Sequence, residues 1–248
     1  MTRVEELLHS LMDGMKKEKA PPPKDYKCQL CKDMGFIPVQ KDTGMEAKVC
    51  PECLKRAERR RWMKQSGITE EAYQRFTMET FKTDTTEAQN MKALAVEFLN
   101  DESATGLGIF GRAGTGKTHL CVAVCQAIGK EHYYWQYRRE IQRIKAVMFK
   151  DFDEYERLLF VPTTKPYLYI DDLFKGAMVG SEIAQQDKQI MFDIINMRYV
   201  KKLPTILSSE YSLKSITIAD EAIGSRIYEM CHPHLLKVQG ANRRLNKF

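Results

Sequence analysis

No stretch of this 248-residue chain approaches the roughly 18 consecutive apolar residues of a membrane span. The opening MTRVEELLHSLMDGMKKEK also lacks the apolar core of a secretory signal. Both absences argue against a membrane or exported protein, so no membrane partner is expected and the expected location is cytoplasmic. Internal repeats are lacking, and low-complexity sequence is confined to the prolines at 21–23. Tryptophan is scarce: Trp62 and Trp135 read as packing residues, although Trp62, amid arginines, could stack on a base. His119, His132, His232 and His234 show no metal-ligand spacing. An even cysteine count is also missing. Seven cysteines in a chain without a secretory leader argue against a disulfide framework.

What is present is ordinary for a globular protein, with 43% hydrophobic and 29% charged residues and room for one large domain plus a small appendage. The net charge of +6 is mild but unevenly placed. Lys55, Arg56, Arg59, Arg60, Arg61 and Lys64 face only Glu58, and Arg243, Arg244 and Lys247 close the chain without an acid. Such clusters can neutralise phosphates or simply be solvated faces.

Apolar residues at helical spacing (Val4, Leu7, Leu8, Leu11, Met12, Met15) predict an amphipathic helix over 3–19, cut off by the proline connector. Next come Cys28 and Cys31, eighteen residues, then Cys50 and Cys53. Two CxxC knuckles at that separation suit a closed, structural four-thiolate zinc site, each knuckle giving two sulfurs from one turn, with a hairpin bent at Gly35 and Gly44 between them. A redox dithiol pair is the weaker rival. Cys121, Cys125 and Cys231 fall in apolar helical patterns and read as buried, inert thiols. A basic helix over 54–65 ends at Gly67, where the boundary is drawn: 1–66 as a zinc-bearing N-terminal domain, 67–248 as the main domain.

The decisive stretch is GIFGRAGTGKTHL at 108–120. Gly111, Gly116, Lys117 and Thr118 satisfy G-x-x-x-x-G-K-[ST], between an apolar strand at 107–110 and an apolar helix. A triphosphate needs inward-pointing backbone N–H groups, which larger side chains at Gly111, Gly114 and Gly116 would obstruct. Arg112, Ala113, Thr115 and His119 complete that cradle. Lys117 supplies charge for the outer phosphates and Thr118 a hydroxyl for Mg²⁺.

Downstream, β-like runs at 133–137, 167–170, 204–207 and 235–238 alternate with helical patterns, which implies a parallel α/β sheet covered on both faces. Pro162 and Pro166 are expected to break the helical pattern of 152–160. The run YLYI delivers Asp171 and Asp172 to the sheet's carboxyl edge: Asp171 to hold magnesium, Asp172 to polarise the attacking water. Ser208 and Ser209 end the next strand and could touch the γ-phosphate, with Ser209 taken as the catalytic one. Arg226, in G-S-R-I-Y-E-M, reads either as a surface charge or as a finger reaching a neighbouring subunit's site.

Taken together, GRAGTGKT, YLYIDDLFKG, PTILSSEYSL and DEAIGSRIYEMC behind paired CxxC knuckles resemble the DnaC and DnaI helicase loaders of bacteria and phages, which are AAA+ ATPases. The resemblance covers roughly 26–240. It implies an AAA+ core and equates the four blocks with Walker A, Walker B, sensor 1 and the arginine-finger motif. It further implies a zinc-bearing part that docks on a hexameric DnaB-type helicase, an ATPase part that binds single-stranded DNA, and self-association through the Arg226 face. The segment between Tyr137 and Phe160 takes the place of the family's extra helices. Two departures stand out: Asp172 is one methylene shorter than the usual Glu, and Glu210 follows the serines where relatives carry Asn. The chain also ends soon after Val238, leaving no room for a helical lid. Runners-up are the IstB-type transposition helper ATPase and, from a different class, a P-loop kinase of a small metabolite.

Overall fold

The computed structural model describes residues 26–41 and 44–245, so the helix expected over 3–19 lies outside the described residues. The chain divides into two compact units, Met1–Ala57 and Glu58–Phe248.

In the first unit, β1 (Phe36–Lys41) and β2 (Gly44–Val49) pair antiparallel, from Phe36 opposite Val49 to Lys41 opposite Gly44. Helix α1 (Pro51–Gln65) starts on a proline, whose missing N–H is no loss in a first turn. The division falls inside α1, ten residues before Gly67. Beyond it, Met63 packs against the main core, Ser66 is fully buried, and its carbonyl accepts the Tyr134 N–H at 2.6 Å. Residues 58–66 are therefore built into the larger unit.

That unit is a five-stranded sheet in the order β4 (His132–Gln136), β5 (Tyr167–Asp171), β8 (Thr205–Ser209), β3 (Gly106–Gly111), β9 (Leu235–Val238), all parallel. Side chains alternate between its faces. Leu107, Ile109, Tyr169 and Ile206 enter one apolar cluster with α3 (Thr86–Asn100) and α4 (Lys117–Ile128). Phe110, Leu168, Ile170 and Leu207 enter the other with α5 (Tyr137–Val147), α6 (Phe152–Thr164), α7 (Gln185–Val200) and α9 (Glu221–Cys231). Thr69, Thr85, Asp151, Ser212 and Asp220 cap helices with their side chains, starting α2 (Glu70–Arg75), α3, α6, α8 (Leu213–Ala219) and α9 in turn. The expected parallel sheet with helices on both faces is what forms.

Two details differ from the pattern. Helix α6 runs past Pro162 to Thr164, because the proline sits in its last turn and the buried Arg198 guanidinium takes the Pro162 and Lys165 carbonyls, both at 2.9 Å. A small hairpin of β6 (Met178–Val179) and β7 (Glu182–Ile183), unsignalled in the sequence, fills the gap between β5 and α7.

His132 is 2% exposed; its Nδ1–H donates to the Lys130 carbonyl at 2.9 Å, while Nε2 is buried without a partner among the described residues. Burial lowers its pKa below the ordinary value near 6.5. The unfolded chain therefore binds the proton more readily, so stability falls as pH drops below about 6.5. His132→Leu should flatten that dependence, read as urea midpoints at pH 7.5 and 5.5; an undiminished drop in the variant would refute it.

Candidate functional site

The carboxyl ends of β3, β5 and β8 form the floor of an open cleft of about 920 Å³, a volume that suits a nucleotide. A depression of about 540 Å³ over Lys214 and Glu221 carries none of the groups described next. Strand β3 ends at Gly111 with φ +132°, where a Cβ would fall 1.9 Å from the Val238 carbonyl oxygen. Only glycine can turn the chain so close beside β9. Thr115, buried, donates its hydroxyl to the Arg112 carbonyl at 3.1 Å and holds the loop closed, while Arg112 and Ala113 are exposed. Gly116 starts α4 without a side-chain cap, so the first N–H groups of the helix are left for a ligand.

The Lys117 side chain is 5% exposed and folds back, its ammonium donating to the Gly111 carbonyl at 2.6 Å and the Arg112 carbonyl at 2.7 Å. Burial lowers its pKa, with Asp172 and Glu210 pulling the other way. An ammonium held by two neutral carbonyls gains when an anion replaces them.

Asp171 ends β5 and accepts four hydroxyls: Thr118 at 3.1 Å, Tyr134 at 2.8 Å, Tyr169 at 2.5 Å and Ser208 at 2.6 Å. Burial raises the pKa of both tyrosines, with the Asp171 charge adding to it, so they stay protonated donors. The carboxylate beside the Thr118 hydroxyl is an all-oxygen donor pair, the set that a hard cation such as Mg²⁺ prefers. Asp172 adopts φ +55°, rare for a non-glycine residue, and its N–H donates to Ser208 Oγ at 3.2 Å. Its carboxylate pairs with Lys175 at 2.9 Å, and the same ammonium reaches Glu210 at 2.6 Å. Burial would lower the Lys175 pKa, but the two carboxylates outweigh it and raise it.

His119 faces the wall of the cleft. Its Nε2 lies 3.1 Å from the Thr77 carbonyl and 3.2 Å from Thr80 Oγ1, between the rings of Phe76 and Phe81. Burial lowers its pKa, so the ring is neutral at pH 7 and ties the 76–81 segment to α4.

The family model described as IstB-like ATP binding protein matches residues 42–247. The chain belongs to that family. This IstB-like ATPase is 28% identical over 260 residues to the phage-like element PBSX protein XkdC of Bacillus subtilis (strain 168), covering 98% of this chain and 96% of the relative. It is also 28% identical to protein YqaM of the same organism, over 94% and 89% of the two chains. Among solved structures it is similar to the DnaC helicase loader, with TM-score 0.57 and 25% identity over 69% of this chain and all of that one. DnaI superposes with TM-score 0.55 at 18% identity, over 72% of this chain and 95% of that one, which shares the fold. The AAA+ architecture and the ATPase class read from the sequence are thus shown.

In the IstB-like ATPase, Ala113, Gly114, Gly116, Lys117, Thr118, His119, Asp171 and Asp172 line one cleft, and Ser208, fully buried, bonds the acidic pair from beneath. Ser209, the serine chosen for catalysis, points elsewhere: its hydroxyl donates to the Leu173 carbonyl at 2.8 Å and accepts the Tyr211 N–H at 3.1 Å. Adjacent strand residues face opposite sides, so only Ser208 can meet the acidic pair. Arg226 lies outside the cleft, on α9. Its guanidinium donates to Asn196 Oδ1 at 2.9 Å and to the Ala222 carbonyl at 2.8 Å, and lies 5.1 Å from the Phe192 ring. Lys175, Tyr134 and Tyr169 were missed in the sequence. Tyr169 had a signal, two residues before Asp171 on the same strand face. Lys175 sits in a turn that no periodicity marks.

In the first unit, the sulfurs of Cys28, Cys31, Cys50 and Cys53 all lie within 4.8 Å of one another. Cys28 to Cys50 is 3.6 Å and Cys31 to Cys53 is 3.4 Å, far beyond a disulfide bond and near the roughly 3.8 Å edge of a tetrahedral zinc thiolate site. The Gly35 N–H donates to Cys31 Sγ at 3.3 Å, and Asp33 accepts the Cys28 N–H at 2.8 Å, fixing the first knuckle. The backbone N–H of Cys31 brings the Cys28 thiol down to about 7. The four sulfurs fit zinc.

Proposed function

We propose that this IstB-like ATPase binds a hexameric, DnaB-type replicative helicase and delivers it to single-stranded DNA, with ATP hydrolysis as the release switch. The observation that carries this is the similarity to the DnaC helicase loader, all of whose solved chain is covered at 25% identity. In this role Lys117 leaves the Gly111 and Arg112 carbonyls for the outer phosphates, and the N–H groups at the start of α4 take the remaining oxygens. Thr118 and Asp171 are the residues that would hold magnesium, which when bound neutralises phosphate charge and polarises the γ-phosphorus. Asp172 orients the attacking water once it is freed from Lys175, and Ser208 holds the Asp172 backbone. The Lys175 bridge to Asp172 and Glu210 suits slow turnover until a partner rearranges it. The four-cysteine unit, zinc-loaded, is the docking element for the helicase. The family description favours a second reading, an IstB-type transposition helper, which shares the ATPase core.

Capture of purified helicase by the full chain in the presence of ATP, together with turnover that responds to single-stranded DNA, is the expected result. Capture of a transposase in place of helicase would favour the second reading, and turnover that rises only with a small phosphoryl acceptor would sink both. The neighbour-to-neighbour role of Arg226 has its own test. Arg226→Ala and Lys117→Ala proteins should each lose at least roughly tenfold in turnover, since arginine fingers are worth far more than that elsewhere. Mixing the two should restore part of it, because one supplies the finger and the other the site. Full activity of Arg226→Ala alone, or no recovery on mixing, would remove the shared site.

A further inference from the structure

Past β9 the chain turns back across the phosphate loop. Glu87, in the first turn of α3, accepts the N–H groups of Gln239 and Gly240, the latter at 2.9 and 2.8 Å to its two oxygens. The Arg243 N–H then donates to the Gly114 carbonyl at 3.0 Å, and Asn242 lies so close that a Cβ on Gly114 would meet its Oδ1 at 1.9 Å. The Arg243 guanidinium pairs with Asp84, donates to the Lys82 carbonyl at 3.1 Å and lies over the Phe81 ring. Residues 239–244 are thus anchored to the loop at Gly114 and to the segment 82–87, and among the described residues no helix follows β9.

This arm also brings a charge to the cleft. Asn242 Oδ1 accepts the Arg244 N–H at 3.0 Å, an Asx turn that directs the chain back, and Arg244 lines the same cavity as Lys117, Asp172 and Glu210. Arg243 is engaged at Asp84, Lys82 and Phe81. Among the described residues the Arg244 guanidinium makes no hydrogen bond or ion pair. We infer that Arg244 contacts the phosphate chain of the nucleotide bound in its own subunit, and that Arg243 is a positioning residue that holds the arm in place. The inference rests on the cleft being the nucleotide site. A guanidinium fork suits phosphate oxygens better than an ammonium does.

Titration calorimetry with ATP on the full chain tests it. Arg244→Ala should weaken ATP binding about 10- to 100-fold, the span of one or two charge-assisted hydrogen bonds, and Arg244→Lys should recover part of the loss. Arg243→Ala should weaken binding too, yet the double variant should lose no more than Arg244→Ala alone, because both act through one contact. Unchanged ATP affinity in Arg244→Ala, with Lys117→Ala abolishing it, overturns the role of the arm and leaves the cleft reading intact. Unchanged affinity in both variants overturns the cleft reading itself. If Arg244→Ala instead keeps ATP affinity and loses single-stranded DNA, the arm is a nucleic-acid contact and the inference is wrong.

Discussion

Lys117→Ala protein should bind ATP at least roughly 100-fold more weakly than the parent and show no turnover, while keeping its fold. The size of the effect follows from where the ammonium sits. It is almost fully buried and held by two carbonyls of its own loop, so it is positioned in the floor of the cleft to give its charge to the outer phosphates. The fold should survive because those carbonyls are the ammonium's hydrogen-bond partners among the described residues, and leaving them unpaired costs about 1–3 kcal/mol each at most. Two apolar clusters, one on each face of the sheet, remain untouched. Calorimetry with ATP beside a thermal melt decides: affinity within threefold of the parent would refute the assignment, and collapse of the melt would show that the lysine is structural.

The same cleft sets its two adjacent acids in different surroundings. Asp171 accepts four hydroxyls, whereas Asp172, one residue on, carries its own cation in Lys175. The difference comes from the backbone. Asp171 continues the strand, while Asp172 turns into the left-handed region, which swings its carboxylate toward the turn that holds Lys175. Two adjacent acids therefore occupy different electrostatic environments, the arrangement that lets one hold a cation and the other manage water.

How far the residues alone could reveal this site depended on sequence distance. The loop from Gly111 to Thr118 was legible because its chemistry is local: glycines, lysine and hydroxyl at fixed spacing between a strand and a helix. Asp171 was legible because an apolar run ends on it. The choice between Ser208 and Ser209 was not, since facing depends on the register of β8 against β3 and β5, which only the assembled sheet fixes. Lys175 and Glu210 stand 35 positions apart and meet because β5 and β8 are neighbours. The arm carrying Arg243 and Arg244 reads in sequence as a basic cluster that can neutralise phosphates or be a solvated face, with no sign of where it sits. Its seat on Glu87 and Gly114 joins positions more than a hundred residues apart, for which a single sequence offers no signal. Helix α8 was missed for another reason: at seven residues it is too short for a periodic pattern to declare itself.

Removing zinc from the full chain should unfold the first unit and leave the second able to bind ATP. Among the described residues, the first unit has almost no apolar interior of its own. Among the described residues its buried cluster is Cys28, Cys31 and Cys50, with only Ile37 and Cys53 packed on it, and every residue of β2 is exposed. Ordering a backbone costs about 1–2 kcal/mol per residue, and a cluster that small cannot offset it across a hairpin and two knuckles. A structural zinc contributes on the order of 10–16 kcal/mol, enough to close the gap, so metal and fold should be gained and lost together. Metal analysis should give one zinc per chain. Chelator, or Cys50→Ser, should expose 26–57 to protease while ATP affinity of the remainder holds, and helicase capture should vanish with the metal. Continued protease resistance after the metal has been stripped, or sulfurs found joined as disulfides, would mean that something other than zinc holds the knuckles.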